Sequence, residues 1–309
     1  MATTTTARTH ESAHEAPQSS RIHALQPWIR SHLVQRVTAR VLLWVLLLFF
    51  LVPVIWTLSS SLKTRQELYV GTPSLITLHP TLANYEYALR RLRNFGDLYR
   101  NSIIVTLGSV ILQTVLATFA GYGFARLRFR GRDLIFYTMV MLIFIPKAVG
   151  LTAQYEVMNF LGLRNTLYGL ILAFSAGLAV PAFIMRQAFL NLPMDFEDAA
   201  KIDGCNRFQS FRFVMAPMVT GAMVVVALFE GIRIWGEYLF TLTMIDDQRN
   251  YTLGIGLVQQ FSNQTIERGD FTGYGAQAAA YVMAAAPVVL FFLGLQRWFV
   301  RGLLTGLKL

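Results

Sequence analysis

The chain has 309 residues, 54% hydrophobic and 14% charged, with a formal net charge of +10. Soluble domains carry about 25% charged residues, so global disorder is excluded, and the apolar residues fall in blocks that suit a bilayer better than a soluble core. The single cysteine, Cys205, can form neither an intramolecular disulfide nor a zinc module, and the cations lie between apolar blocks rather than on a domain with stacking aromatics, which argues against nucleic acid.

Residues 1–35 open with a Thr-, Ser-, Ala- and His-rich run without apolar period and read as a disordered tail. The first apolar block, 41–58, continues uncharged to Leu62. It is long enough, at about 20 residues, to cross about 30 Å of hydrocarbon as a retained anchor. Residues 102–124, 134–154, 167–185, 214–229 and 276–299 satisfy the same criterion. Lys147 interrupts the third of the six spans, and the fifth is expected to run on past Glu230. The sequence therefore predicts an all-α membrane protein with six transmembrane helices. The four arginines within 126–132, against only Lys147 and Arg164 in the next connection, make the arginine loop cytoplasmic. Arg30, Arg36 and Arg40 before the first span, and Arg297, Arg301 and Lys308 at the end, put both termini on that side.

One substantial polar segment then faces the cytoplasm, residues 186–213 between spans four and five. Local rules predict two short helices joined at Gly204. Pro193 suits a helix start, Asp195, Glu197 and Asp198 crowd the positive end of the helix dipole, and Gly204 supplies a stop. Glu197 and Lys201 are spaced for an i, i+4 pair, and Asn206 with Gln209 reads as the cap of a second helix running through Phe208 and Phe211 to Pro217. Ala199 and Ala200 allow close backbone approach to a groove in another protein; the alternative is a solvated connector. No Gly-Lys pair occurs, so the chain has no phosphate-cradling P-loop of its own. Neither a compact His or Cys ligand set nor a nucleophile cluster supports an enzyme.

The string EDAAKIDGCNRFQSFRFVMAP, 197–217, resembles the EAA loop of binding-protein-dependent ABC importer permeases, with Glu197, Ala199, Ala200, Asp203, Gly204, Phe211 and Pro217 on motif positions. Asp198 and Cys205 depart from it conservatively. SLKTRQELY, NSIIVTLGSV, LGLRNTLYGLIL, WGEYLFTLTMI and the ending PVVLFFLGLQRWFVRGLLTGLKL are similar to the second permease subunit of maltose-type carbohydrate importers, with Gly236 and Thr241 as departures. The resemblance covers about 36–309 and implies a multi-pass permease of the bacterial inner membrane with an ATPase-coupling loop at 186–213. Its expected partners are a second homologous permease subunit, two ATPase subunits that bind ATP and Mg, and an extracytoplasmic solute-binding protein. The chain itself needs no cofactor and is not an enzyme. Glu197, Asp198, Ala199, Ala200, Asp203 and Gly204 are expected to dock the ATPase, with Glu197 meeting one of its cations. Gln113, Glu230, Glu237 and Gln277, polar at membrane depth, are candidates for a sugar path with Tyr122, Trp235 and Tyr238 as stacking rings; inter-helix hydrogen bonding is the alternative. A glycerol-phosphate-type solute is the alternative substrate, and an ATP-independent secondary transporter or channel the alternative mechanism.

Overall fold

Without water in hydrocarbon to receive backbone N–H and C=O groups, a spanning segment is a helix or a strand of a closed barrel, and continuous apolar blocks of about 20 residues suit helices. The computed structural model describes residues 19–70, 74–92, 94–262 and 273–307, and among them there are helices and turns but no strand. By contact the chain divides into two units, 1–56 and 57–309.

The first unit is the greater part of α1 (Ser19–Leu62). This helix starts at Ser19, within the segment expected to be a tail. Residues 1–18 of the expected tail lie outside the described residues. Within α1, Gln35–Leu62 is long and apolar enough to cross a membrane.

The second unit begins with α2 (Arg65–Tyr69) and α3 (Ala83–Arg91). Thr64 and Glu67 cap α2 reciprocally. The Glu67 carboxylate also accepts bonds from the Thr77 hydroxyl (2.7 Å) and the amides of Leu78 (2.9 Å) and His79 (3.2 Å). These donors, the Thr77 hydroxyl first, hold its carboxyl down at about 2. A depressed carboxyl stabilises the fold above its unfolded pKa and ceases to as pH falls through the folded value. Protection of the Leu78 and His79 amides against hydrogen exchange, corrected for intrinsic rates, is therefore expected to fall between pH 4.5 and about 2. In Glu67→Gln it should be weaker at neutral pH and flat across that window. A flat wild-type profile would contradict this account.

Two further helices qualify as membrane spans by length and composition, α4 (Phe95–Arg126) and the Gly273–Arg297 part of α15 (Gly273–Leu307). Three more candidates are bent pairs, making up to six. In the third, α5 (Arg132–Met141) and α6 (Leu151–Phe160) lie on either side of a 101° bend. There Pro146 forces Ile145 into extended backbone, ψ 119°. In the fourth, α7 (Leu167–Ser175) and α8 (Ala179–Leu190) meet at 47°, and the side-chain amide of Gln113 donates to the freed Gly177 carbonyl at 2.8 Å.

The fifth differs from its predicted bounds. Pro217 has no N–H for the carbonyl of Phe213, and the backbone ahead of it widens into a π-helix, Ser210–Met215, between the single turns α10 (Arg207–Gln209) and α11 (Ala216–Met218). After a 71° bend at Val219 comes α12 (Thr220–Trp235), and the two pieces together, 207–218 and 220–235, make the fifth candidate span, which starts before the expected 214–229 and runs past Glu230 as anticipated. The polar segment between spans four and five begins later than 186, since α8 continues to Leu190, and it contains α9 (Asp195–Ile202). After α12 come α13 (Leu239–Met244) and α14 (Leu253–Ser262).

Three apolar clusters hold these helices. One joins α4, α7, α12 and α13 around Val105, Leu170, Phe174 and Met244; a second joins α3, α14 and α15 around Ala88, Leu257 and Ala280; a third joins the end of α4 to α8 and the π-helical segment around Ala117, Met185, Phe189 and Met215. Asn101 and Ser102, in the NSIIVTLGSV stretch, satisfy irregular backbone. Asn101 donates to the carbonyls of Arg249 and Tyr251, and Ser102 accepts from the amide of Leu253 at 2.7 Å.

Candidate functional site

The elbow of α9 and α10 is built by local sequence. Acidic side chains at Asp195, Glu197 and Asp198 occupy the first turn of α9. At its end the amide of Cys205 bonds to Ala200 O (2.9 Å) and that of Gly204 to Lys201 O (3.0 Å), the paired bonds of a Schellman turn. Gly204 takes φ +83°, a left-handed conformation that costs an L-residue about 1–2 kcal/mol. Asn206 and Gln209 then close a capping box, each side chain accepting the other's amide at 2.9 and 2.8 Å.

Helical spacing gives α9 two faces. Glu197, 8% exposed, and Ala200 point inward; Asp198, Ala199, Lys201, Ile202 and Asp203 point out, and Gly204 follows them at the tip. Ile202 is 87% exposed and Phe208, across the turn, 60%. The predicted Glu197–Lys201 pair does not form: Lys201 bonds to Asp198 at 2.9 Å. Nor does Glu197 offer its carboxylate outward as expected. The reason is the end of α4, where the Tyr122 hydroxyl donates to Glu197 Oε1 at 2.8 Å and Arg126 Nε lies 4.0 Å from Oε2.

The seven path candidates are not brought together. Tyr122 belongs to the elbow, with its ring packed between Phe189 and Phe211, and is no stacking platform for a sugar. Gln113, fully buried, serves the α7–α8 break, and its carbonyl oxygen has no hydrogen-bond partner among the described residues. Glu230 is buried against Arg233, whose Nη2 and Nε lie 2.5 and 2.6 Å from its Oε2. Trp235 donates to Ala284 O at 3.0 Å and meets Tyr99 edge-on. Glu237 caps α13, accepting the amides of Phe240 (2.8 Å) and Thr241 (3.0 Å) and the Thr241 hydroxyl (2.8 Å). Tyr238 is half-buried at the start of α13, and Gln277 donates to Tyr281 along α15 at 3.0 Å. Trp235 and Glu237 line one small cavity with Ser102, Thr241 and Thr252; its volume of about 10 Å³ suits one water and no sugar.

Sequence reasoning missed Arg126, Ile202 and Arg233. Arg126 lies four residues after Tyr122, so the two share a face of α4, a spacing visible once Tyr122 was in question. Ile202 is a large apolar residue closing an acidic helix, which a connector would not require.

A family model described as "Binding-protein-dependent transport system inner membrane component" matches residues 33–305. The chain is 32% identical over 260 residues to the diacetylchitobiose uptake system permease protein NgcG of Streptomyces coelicolor, covering 84% of this chain and 83% of that protein. It is 31% identical over 283 residues to the maltose/maltodextrin transport system permease protein MalG of Vibrio parahaemolyticus, covering 85% and 92%. A solved bacterial ABC transporter involved in import of the acidic polysaccharide alginate shares the fold, with TM-score 0.76 at 21% identity over 87% of this chain and 98% of that one. With the matched region running through the elbow and every bent span, the chain belongs to the binding-protein-dependent transport system inner membrane components, the permeases of ABC importers.

Proposed function

We propose that this permease translocates a carbohydrate delivered by an extracytoplasmic binding protein, and that the outer face of α9 is where ATPase subunits drive it. The observation that carries the docking is the elbow tip, where Ile202 stands 87% exposed beside Ala199, Asp198 and Asp203 and a left-handed glycine fixes the turn. A large aliphatic side chain held in water by two capping motifs is an anchor awaiting a pocket. The carbohydrate class rests on the relatives that handle diacetylchitobiose and maltodextrins. In this reading the chain has six spans with both termini cytoplasmic in a bacterial inner membrane. It pairs with a second permease subunit, and two ATPase subunits bind ATP and Mg. Asp198, Ala199, Ile202, Asp203 and Gly204 form the docking face, while Glu197 and Ala200 support it from behind. Of the route candidates, Gln277 retains a partly exposed edge for a polar path.

The test is a mild-detergent pull-down from the native membrane. Wild type is expected to bring down a P-loop ATPase, and Ile202→Asp or Gly204→Pro to reduce its recovery at least about tenfold, the effect of losing about 1.4 kcal/mol at an interface anchor. Proline cannot take the positive φ of Gly204 and has no N–H for Lys201 O. A wild-type chain that runs alone and transports without ATP would replace this reading by a secondary transporter.

A further inference from the structure

The end of α4 holds the docking helix from behind with two side chains one turn apart. Tyr122 donates to Glu197 Oε1, while Arg126 Nη2 donates to the carbonyls of Phe189 (2.7 Å) and Leu192 (2.6 Å), where α8 ends. The Tyr122 ring lies 5.4 Å from Phe189 and 4.9 Å from Phe211, centroid to centroid. The last turn of α8, α9 and the π-helical segment thus meet at Tyr122 and Arg126 of α4. A buried carboxylate left without hydrogen bonds or a cation is strongly destabilising, so Glu197 depends on Tyr122 and Arg126. Asp198, its exposed neighbour bonded to Lys201, is the acidic group on the outward face. An eight-residue helix such as α9 does not hold its place by backbone hydrogen bonds alone.

Building on the docking function proposed above, we infer that Glu197 is a positioning residue, latched by Tyr122 and Arg126, that clamps the docking helix to α4. Movement imposed on the elbow is then delivered to α4 as well as through the π-helical segment to α12. Without the latch the elbow still docks, but it swings about residues 191–194 and the Schellman turn, so hydrolysis continues while less of the movement reaches the membrane helices.

The complete complex, reconstituted in proteoliposomes, tests this by three readouts: ATPase subunit retained, ATP hydrolysed, and solute imported per ATP. Tyr122→Phe, which removes one oxygen, and Glu197→Ala are each expected to retain the ATPase and its hydrolysis and to import about tenfold less per ATP, as expected for losing a buried hydrogen bond to a charged group. The double variant should be no worse than either single one, and Glu197→Gln, whose amide oxygen still accepts from Tyr122, should keep most of the coupling. Unchanged import per ATP in Tyr122→Phe and Glu197→Ala would overturn the latch. So would additive losses in the double variant, or an ATPase lost from Glu197→Gln, since that would make the carboxylate itself a docking contact. Absence of an ATPase from the wild-type complex would instead overturn the docking function beneath it.

Discussion

Alanine at Gly121 is expected to loosen the isolated chain, and alanine at Gly123, two residues on, to stabilise it. A Cβ at Gly121 would stand 2.5 Å from Met185 Cβ and 2.8 Å from the Arg186 backbone nitrogen. No side-chain rotation relieves a contact with backbone, so α4 and α8 must separate. That separation would also pull Tyr122 away from Phe189 and Glu197. In a bilayer no hydrophobic force drives helices together, and close packing of small residues has to hold them. Overpacking commonly costs about 1–3 kcal/mol, and this site lies at the upper end because both opposing atoms are fixed. At Gly123 nothing lies within 4 Å of an added Cβ. There the substitution only removes the conformational freedom of glycine within a helix, a gain of about 0.5–1 kcal/mol. Thermal unfolding of the two variants in one detergent compares identical chemical changes in opposite surroundings. Shifts of the same sign would mean that the α4–α8 contact is not as close as described.

Removing Arg233 alone should cost more than removing both members of its pair. Glu230 is buried in α12 and its Oε2 is held at 2.5 and 2.6 Å by the Arg233 guanidinium. Arg233→Ala leaves that carboxylate uncompensated, a loss of about 3–5 kcal/mol, whereas replacing both residues by apolar ones of similar volume is commonly near neutral. The measurable outcome is the yield and melting temperature of Arg233→Ala against Glu230→Met with Arg233→Leu. A loss below about 1 kcal/mol in the single variant is the size seen for exposed pairs. It would mean that water reaches Glu230, and would then mark this point of α12 as part of the aqueous route.

The capping logic of the elbow was readable from its residues, because a glycine stop, an acidic first turn and an Asn-x-x-Gln box act within a few positions. The six apolar blocks were equally readable, since hydropathy alone requires them. The joints were not. Pro146 and Pro217 are visible, but whether proline kinks a span or breaks it depends on what satisfies the freed backbone. At the α7–α8 break that is Gln113, from a helix 64 residues away in sequence. The inward turn of Glu197 was hidden for a similar reason. On α9 alone Glu197 and Asp198 are equivalent acids, and only the approach of Tyr122 and Arg126 from α4 separates them. The polar candidates at membrane depth were chosen for the cost of burying them; the structure meets that cost with caps and ion pairs rather than by gathering them around a ligand.

The jointed spans also bear on bilayer thickness. The two pieces of the fourth candidate span have 9 and 12 residues, about 14 and 18 Å at 1.5 Å per residue, while α4 has 32 residues in one rod. A rod longer than the hydrocarbon layer accommodates it by tilting as a whole. A jointed crossing can instead fold or straighten at its break, as at α7–α8, where the Gln113 side chain already bonds the freed Gly177 carbonyl. Lipid thickness would therefore act on this chain chiefly through the angles at residues 145–146, 176–178 and 219, the last of which joins the elbow to α12.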